Sequence, residues 1–159
     1  MANPGALVFY GLARCAARQA GGDRLMSLQT TLQESLEAVS DGVAVGYLDL
    51  ATGSLLGIAA RDERPQEFLN VMAAAVTELF EAPLFKALDK IWSADFTEKA
   101  LEEQAFKEIL LLGNEYTTVL KRCEINAGHA VIYVTTRQAP PGVLLMQVRS
   151  NLPAIEAAI

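Results

Sequence analysis

Leu25, Leu28, Leu32, Leu36 and Val39 recur at intervals of three and four with Gln, Thr, Ser and Glu between them, which predicts a helix with one buried face. Ser40-Asp41-Gly42 closes it, with Gly42 placed for the left-handed conformation that ends helices. From Val43 to Leu50 the chain is apolar at both alternating sets of positions, as in a strand covered on both faces. Ala51-Thr52-Gly53-Ser54 supplies a turn with Gly53 at positive φ, and Leu55 to Ala60 completes a hairpin. Pro65 opens a second helix, since its missing N–H falls where helices leave N–H groups unpaired, and this helix runs to about Ala82. Its stripe is Phe68, Met72, Val76, Leu79 and Phe80. Leu69, Val71 and Ala73 to Ala75 widen the apolar surface beyond what one sheet contact uses, so the helix has something else to bury.

Leu84, Leu88 and Ile91, with Phe85 and Trp92, predict a short helix, and Thr97 to Phe106 a more charged one. Glu108 to Leu112 reads as a strand, Gly113-Asn114 as a two-residue turn, and Tyr116 to Cys123 as the antiparallel partner, rich in Thr, Val and Tyr. Asn126-Ala127-Gly128 turns the chain into a last strand, His129 to Thr136. After the loop Arg137 to Gly142, Leu144 or Leu145, Val148, Leu152, Ile155 and Ile159 repeat at helical spacing. Pro153 should break or kink that helix, and a strand over Val143 to Val148 is the alternative.

Composition bounds the function. At 159 residues and 52% hydrophobic, the chain suits one domain with a substantial core. Its net charge of -6 repels phosphate backbones and anionic lipid, so neither nucleic acid nor membrane insertion is expected. The densest basic pair is Lys121-Arg122. Neighbours on a strand point to opposite faces, and the pair reads as solvated. The apolar run Ala6 to Ala13 is too short for a span and lacks a basic lead, so a cytoplasmic location is expected. Residues 1–25, rich in Ala, Gly and Arg, read as a tail or an upstream extension, and 26–159 as one domain. Cys15 and Cys123 are far apart and one histidine, His129, is present, which argues against a metal site or a disulfide framework. Both cysteines read as small buried hydrophobes.

Motifs for chemistry are missing. Neither G-x-x-x-x-G-K-[ST] nor G-x-G-x-x-G occurs, and Gly21-Gly22 lacks the lysine of a phosphate cradle. Gly42 and Gly46 are spaced for close packing of a strand. No G-x-S-x-G elbow presents a serine, His129 reads as an exposed turn residue, and Asp41 and Asp49 as turn residues. Asp62-Glu63 and Glu102-Glu103 read as solvated charge. The expectation is a non-enzyme with no cofactor and no metal.

The order helix, hairpin, long helix, three-strand meander, helix resembles that of the roadblock family, relatives of dynein light chains and bacterial regulators of small GTPases. The hairpin Gly42 to Gly57 is similar to the family's opening strands, Tyr116 to Thr136 to its last two, and Val143 to Ala158 to its closing helix. The resemblance implies an α+β, profilin-like fold of order α-β-β-α-β-β-β-α, with a five-stranded antiparallel sheet flanked by helices. A helical insertion at about 84–106 and Pro153 depart from the family pattern. It further implies a homodimer through the second helix and the strand after it, hence an interface of Phe68, Leu69, Met72, Ala73, Val76, Leu79, Phe80, Leu110 and Leu112. The partner it implies is a Ras-like small GTPase or another signalling protein. On the residues alone, either a second copy or the insertion covers the second helix. Phe85, Trp92 and Phe96 are candidate partner anchors, or pins for the insertion. The rival function is a small-molecule sensor or an enzyme, with a pocket between sheet and insertion lined by Tyr47, Phe85, Trp92 or Tyr116.

Overall fold

A computed structural model describes residues 27–62, 64–93 and 106–159. The first helix, α1 (27–38), buries Leu28, Leu32 and Leu36 as its stripe requires. It is followed by β1 (Gly42–Asp49), β2 (Ser54–Ala60), α2 (Arg64–Glu81), α3 (Pro83–Ser93), β3 (Glu108–Leu112), β4 (Tyr116–Arg122), β5 (His129–Thr136) and α4 (Pro141–Ala157). The strands form one sheet in the order β2-β1-β5-β4-β3, antiparallel at each of its four pairings. This is the expected α+β architecture. The expected tail 1–25, with Cys15, and the expected helix over Thr97 to Phe106 lie, Phe106 apart, outside the described residues.

Helices cover both faces, which is why β1 is apolar on both faces from Val43 to Leu48 and β5 from Ala130 to Val134. Val45, Tyr47, Val131 and Tyr133 point to α1 and α4, where they meet Leu32, Leu36, Val148 and Leu152. Ala44, Leu48, Ile132 and Val134 point to α2, where they meet Leu69, Val76 and Phe80. Between α1 and β5 the Ser35 and Tyr133 hydroxyls form a buried hydrogen bond, and Asn151 of α4 donates to the Ser35 carbonyl at 3.4 Å. These bonds keep polar groups satisfied inside the core.

Local departures have local causes. Gly53 takes the positive φ its turn demands, 67°, while Asp49 accepts from the Ala51 N–H and the Thr52 hydroxyl, each at 2.9 Å. After α1 it is Asp41, at φ 54°, that adopts the left-handed conformation, not Gly42. Gly42 is instead the first residue of β1, needed because a Cβ there would lie 2.9 Å from the Leu36 carbonyl oxygen. Gly113 pairs with Tyr116 through its N–H, so Asn114-Glu115 rather than Gly113-Asn114 sits at the tip of the β3–β4 turn. The segment Val143 to Val148 is helical, and α4 continues through Pro153 without ending. Pro153 is exposed, so the Arg149 carbonyl that loses its partner faces water.

Candidate interaction surface

The phase of α2 differs from the predicted stripe. Leu69, Ala73, Val76 and Phe80 meet the sheet and are buried, whereas Phe68 is 38% and Val71 71% exposed. Phe68/Leu69, Met72/Ala73 and Leu79/Phe80 are adjacent apolar pairs, so two stripes a hundred degrees apart are equally good by periodicity, and the second is the one packed against the sheet. One flank of α2 adjoins the β1–β2 turn, where Ala73, Ala74 and Thr77 surround Gly53. The opposite flank carries Phe68, Val71, Met72, Ala75 and Leu79. It looks toward β4 and β3, with the Phe68 ring 6.4 Å from Tyr116 and with Met72, Leu79 and Ile109 together at the margin of the core. The stretch Glu67–Phe85 has a mean hydropathy of 1.4 yet is only 22% buried. Among the described residues, α3 follows it directly without covering this flank and exposes Leu84 and Ile91 of its own.

The flank continues onto a sheet edge that no strand pairs among the described residues. The Lys107 carbonyl accepts from the Arg122 N–H, and the Gly113 N–H donates to the Tyr116 carbonyl on the β4 side. By antiparallel alternation, Glu108, Leu110 and Leu112 then aim their N–H and C=O groups away from the sheet. Leu111 and Leu112 are exposed, and Leu110 is half-buried against the α1/α4 core. At the other edge the Ile58 carbonyl of β2 also points outward, but Gln29 of α1 donates to it at 2.6 Å.

The basic pair beside this edge corrects the sequence reading. Lys121 and Arg122 do point to opposite faces, but both are buried, at 5% and 6% exposure, not solvated. Lys121 Nζ lies 3.1 Å from Glu108 and 3.3 Å from Glu124. Arg149 of α4 reaches the same Glu108 carboxylate through Nε at 2.8 Å and Nη2 at 2.6 Å, and its hydrogen bonds, followed by Lys121, hold that carboxyl below its usual range against the opposing effect of burial. On the other face, Arg122 donates to the Ala127 carbonyl at 2.6 Å, pairs with Glu81 at 3.4 Å and lies 4.8 Å from the Phe80 ring centre.

A lowered carboxyl pKa stabilises the fold above the unfolded value and ceases to do so as pH falls through the folded value. Glu108→Gln should therefore flatten the loss of stability on acidification from about pH 5 to pH 3, read as the shift in urea midpoint. An equal acid loss in both proteins would remove Glu108 from the acid response.

The other candidates scatter. His129 is half-buried rather than exposed, its Nδ1 2.7 Å from the Tyr47 hydroxyl and its ring edge-on to that of Tyr47. Burial pushes the Tyr47 hydroxyl well above its usual range and the Cys123 thiol up to about 12, in keeping with the place of Cys123 in the core. Tyr47 lies in the α1/α4 core and Tyr116 on the α2 side of the sheet, so these two cannot line one pocket. Phe85 packs edge-on against Phe106 at 5.5 Å, pinning α3 to the approach of β3. Trp92 lies on α3, and Phe96 falls outside the described residues. Among the described residues no group of three His, Cys, Asp or Glu side chains could hold a metal ion.

No family model matches the sequence, and no curated protein does. Solved structures do match in fold. Myxococcus xanthus MglB is 11% identical with a TM-score of 0.64, over 85% of this chain and 92% of that one. A structure described as MglB with a tetrameric arrangement is 18% identical with a TM-score of 0.62, over 86% and 93%. A Roadblock/LC7 domain from Streptomyces avermitilis is 12% identical with a TM-score of 0.59, over 81% and 94%. At such identities the likeness is one of backbone architecture, and by that architecture this chain has the roadblock fold.

Proposed function

We propose that this chain is a non-catalytic, cytoplasmic protein-binding subunit that pairs with a second copy through the α2 flank and the β3 edge, and that the pair binds and regulates a Ras-like small GTPase. The observation that carries the reading is continuity: the exposed apolar flank of α2 and the edge of β3, unpaired among the described residues, lie on one side of the molecule. Apolar surface next to a row of free backbone donors and acceptors is an unstable boundary with water, and a two-fold partner removes both at once. The interface of this reading is Phe68, Met72, Leu79, Leu110 and Leu112, widened by Val71, Ala75 and Leu111. Leu69, Ala73, Val76 and Phe80 support it from within. The roadblock fold supports the choice of partner, and the tetrameric arrangement described for one MglB supports assembly. The sequence has no phosphate cradle of its own, so any effect on GTP hydrolysis acts by positioning the partner's switch and catalytic residues.

Light scattering at micromolar concentration should give twice the chain mass for the intact protein. Val71→Glu, which sets like charges against each other across the two-fold on an exposed site, should weaken the dimer at least tenfold and leave the thermal midpoint of a dilute sample unchanged. A monomer for the intact chain sinks the dimer. A pull-down from native lysate read by mass spectrometry tests the partner, and the absence of any GTP-binding protein from the captured set sinks that half of the reading.

A further inference from the structure

In a chain with six more acidic than basic side chains, three cations converge on one hollow. The hollow has a volume of about 470 Å³ and is lined by Phe106, Lys107, Glu108, Lys121, Glu124 and Arg149. Strand register brings these groups together. Glu108 stands opposite Lys121, whose neighbours on the same face, Val119 and Cys123, belong to the α1/α4 core, and Arg149 reaches Glu108 from α4. Two carboxylates therefore face three cations. Glu108 is engaged by Lys121 and Arg149, and Glu124 by Lys121, so Lys107 has no carboxylate among the described residues and the hollow keeps one positive charge in excess. Donors are in excess as well, since a lysine offers three N–H groups and an arginine five. Lys121, with a side chain only 6% exposed, has two partners, and Arg149 uses Nε and Nη2 on Glu108 while Nη1 stays unused among the described residues. A buried ammonium with a donor to spare favours an anionic acceptor.

We propose that this hollow binds a single carboxylate presented by a protein partner, an Asp or Glu side chain on an exposed segment. One negative charge cancels the excess, whereas a phosphate dianion would exceed it. A carboxylate has about four lone-pair sites, enough to accept from Lys107, from Nη1 of Arg149 and from the third N–H of Lys121. Phe106 gives the stem that carries the carboxylate an apolar surface to lie on. Among the described residues the hollow is open on its outer side and far larger than a carboxylate, which suits a side chain carried in on another protein better than an enclosed small molecule. It lies on the α4 face of the sheet, away from the α2 flank, so the proposal stands apart from the dimer and from the GTPase.

Titration of the isotope-labelled full chain, followed by NMR, tests this with the peptide acetyl-Ala-Phe-Glu-Ala-amide and its glutamine counterpart. The glutamate peptide should shift the Lys107 and Glu108 amide signals and the Arg149 Nε–H signal saturably at millimolar concentration, and the glutamine peptide should bind about tenfold more weakly. Lys107→Met, at an exposed residue, should weaken the glutamate peptide about tenfold. Glu124→Gln should strengthen it several-fold, because Glu124 competes with the ligand for Lys121, a gain that a purely structural role for the cluster does not give. Glu102→Gln combined with Glu103→Gln, acids that come shortly before Phe106 in the sequence, should leave the affinity unchanged. Peptide binding seen only in that double variant overturns the proposal, since the chain then fills the hollow with its own carboxylates. Equal binding of the two peptides, no loss in Lys107→Met, or no saturable shift at these residues overturns it as well.

Discussion

Leu152→Ala will lower the free energy of unfolding by about 2–5 kcal/mol, seen as a reduced urea midpoint with an unchanged slope. Leu152 is 1% exposed and sits with Leu36, Tyr133 and Val148 where α4 meets α1 and the sheet. Truncation removes buried methyl groups and leaves a cavity whose walls belong to three elements, and such walls collapse poorly. The position matters more than an ordinary core leucine because Pro153 follows it. The ring removes one helical hydrogen bond there, so the last turn of α4 depends on packing by Leu152 and Ile155 and on Glu156, which accepts the Glu124 and Ile125 N–H groups at 2.6 and 2.8 Å. Met146→Ala, on the exposed side of the same helix, should cost less than about 0.5 kcal/mol and serves as the control. Equal small losses from both would mean that α4 is not anchored through Leu152.

Arg122→Ala should cost about 2–4 kcal/mol, and Arg122→Met less than half as much. The alanine variant leaves Glu81 without this cation, the Ala127 carbonyl without its donor and the Phe80 ring without the guanidinium over it. Methionine refills the volume and spares the buried guanidinium its desolvation cost, including that of Nε, which has no hydrogen-bond partner among the described residues. Denaturation at low and high salt separates the contributions, because the Glu81 pair is partly exposed and screened while the stacking and the bond to Ala127 are not. If the alanine and methionine variants lose the same amount, packing is irrelevant at this site.

The contrast between Arg122 and α2 shows what the sequence makes legible. Strand alternation correctly sends Lys121 and Arg122 to opposite faces, because that depends on adjacent residues alone. Their burial depends on Glu108, Glu81 and Ala127, contributed by β3, α2 and a turn, and nothing local in the sequence marks those meetings. The same holds for His129, whose partner Tyr47 stands at the far end of the chain's order. Helix α2 is legible as a helix with surplus apolar surface, since that is a count of residues around a cylinder. Its phase is not, because pairs such as Phe68-Leu69 satisfy either choice until the sheet is in place. Element order was readable for a related reason: covered strands, turn glycines and helical spacing are short-range signals. Of the two outcomes expected at Pro153, the break does not occur, because proline's cost in a helix depends on whether the orphaned carbonyl can reach water and Pro153 is exposed.

The hydrogen bond from Gln29 to the Ile58 carbonyl has a bearing on where growth stops. A sheet with two receptive edges can add copies without limit and become a filament. An amide from α1 sits on the middle of β2, which in the proposed dimer leaves β3 to receive the second copy. Two five-stranded sheets joined at β3 would present only β2 at either end of the resulting ten strands, each guarded by its own glutamine. In the proposed dimer, that one side chain would separate a finite particle from an open polymer.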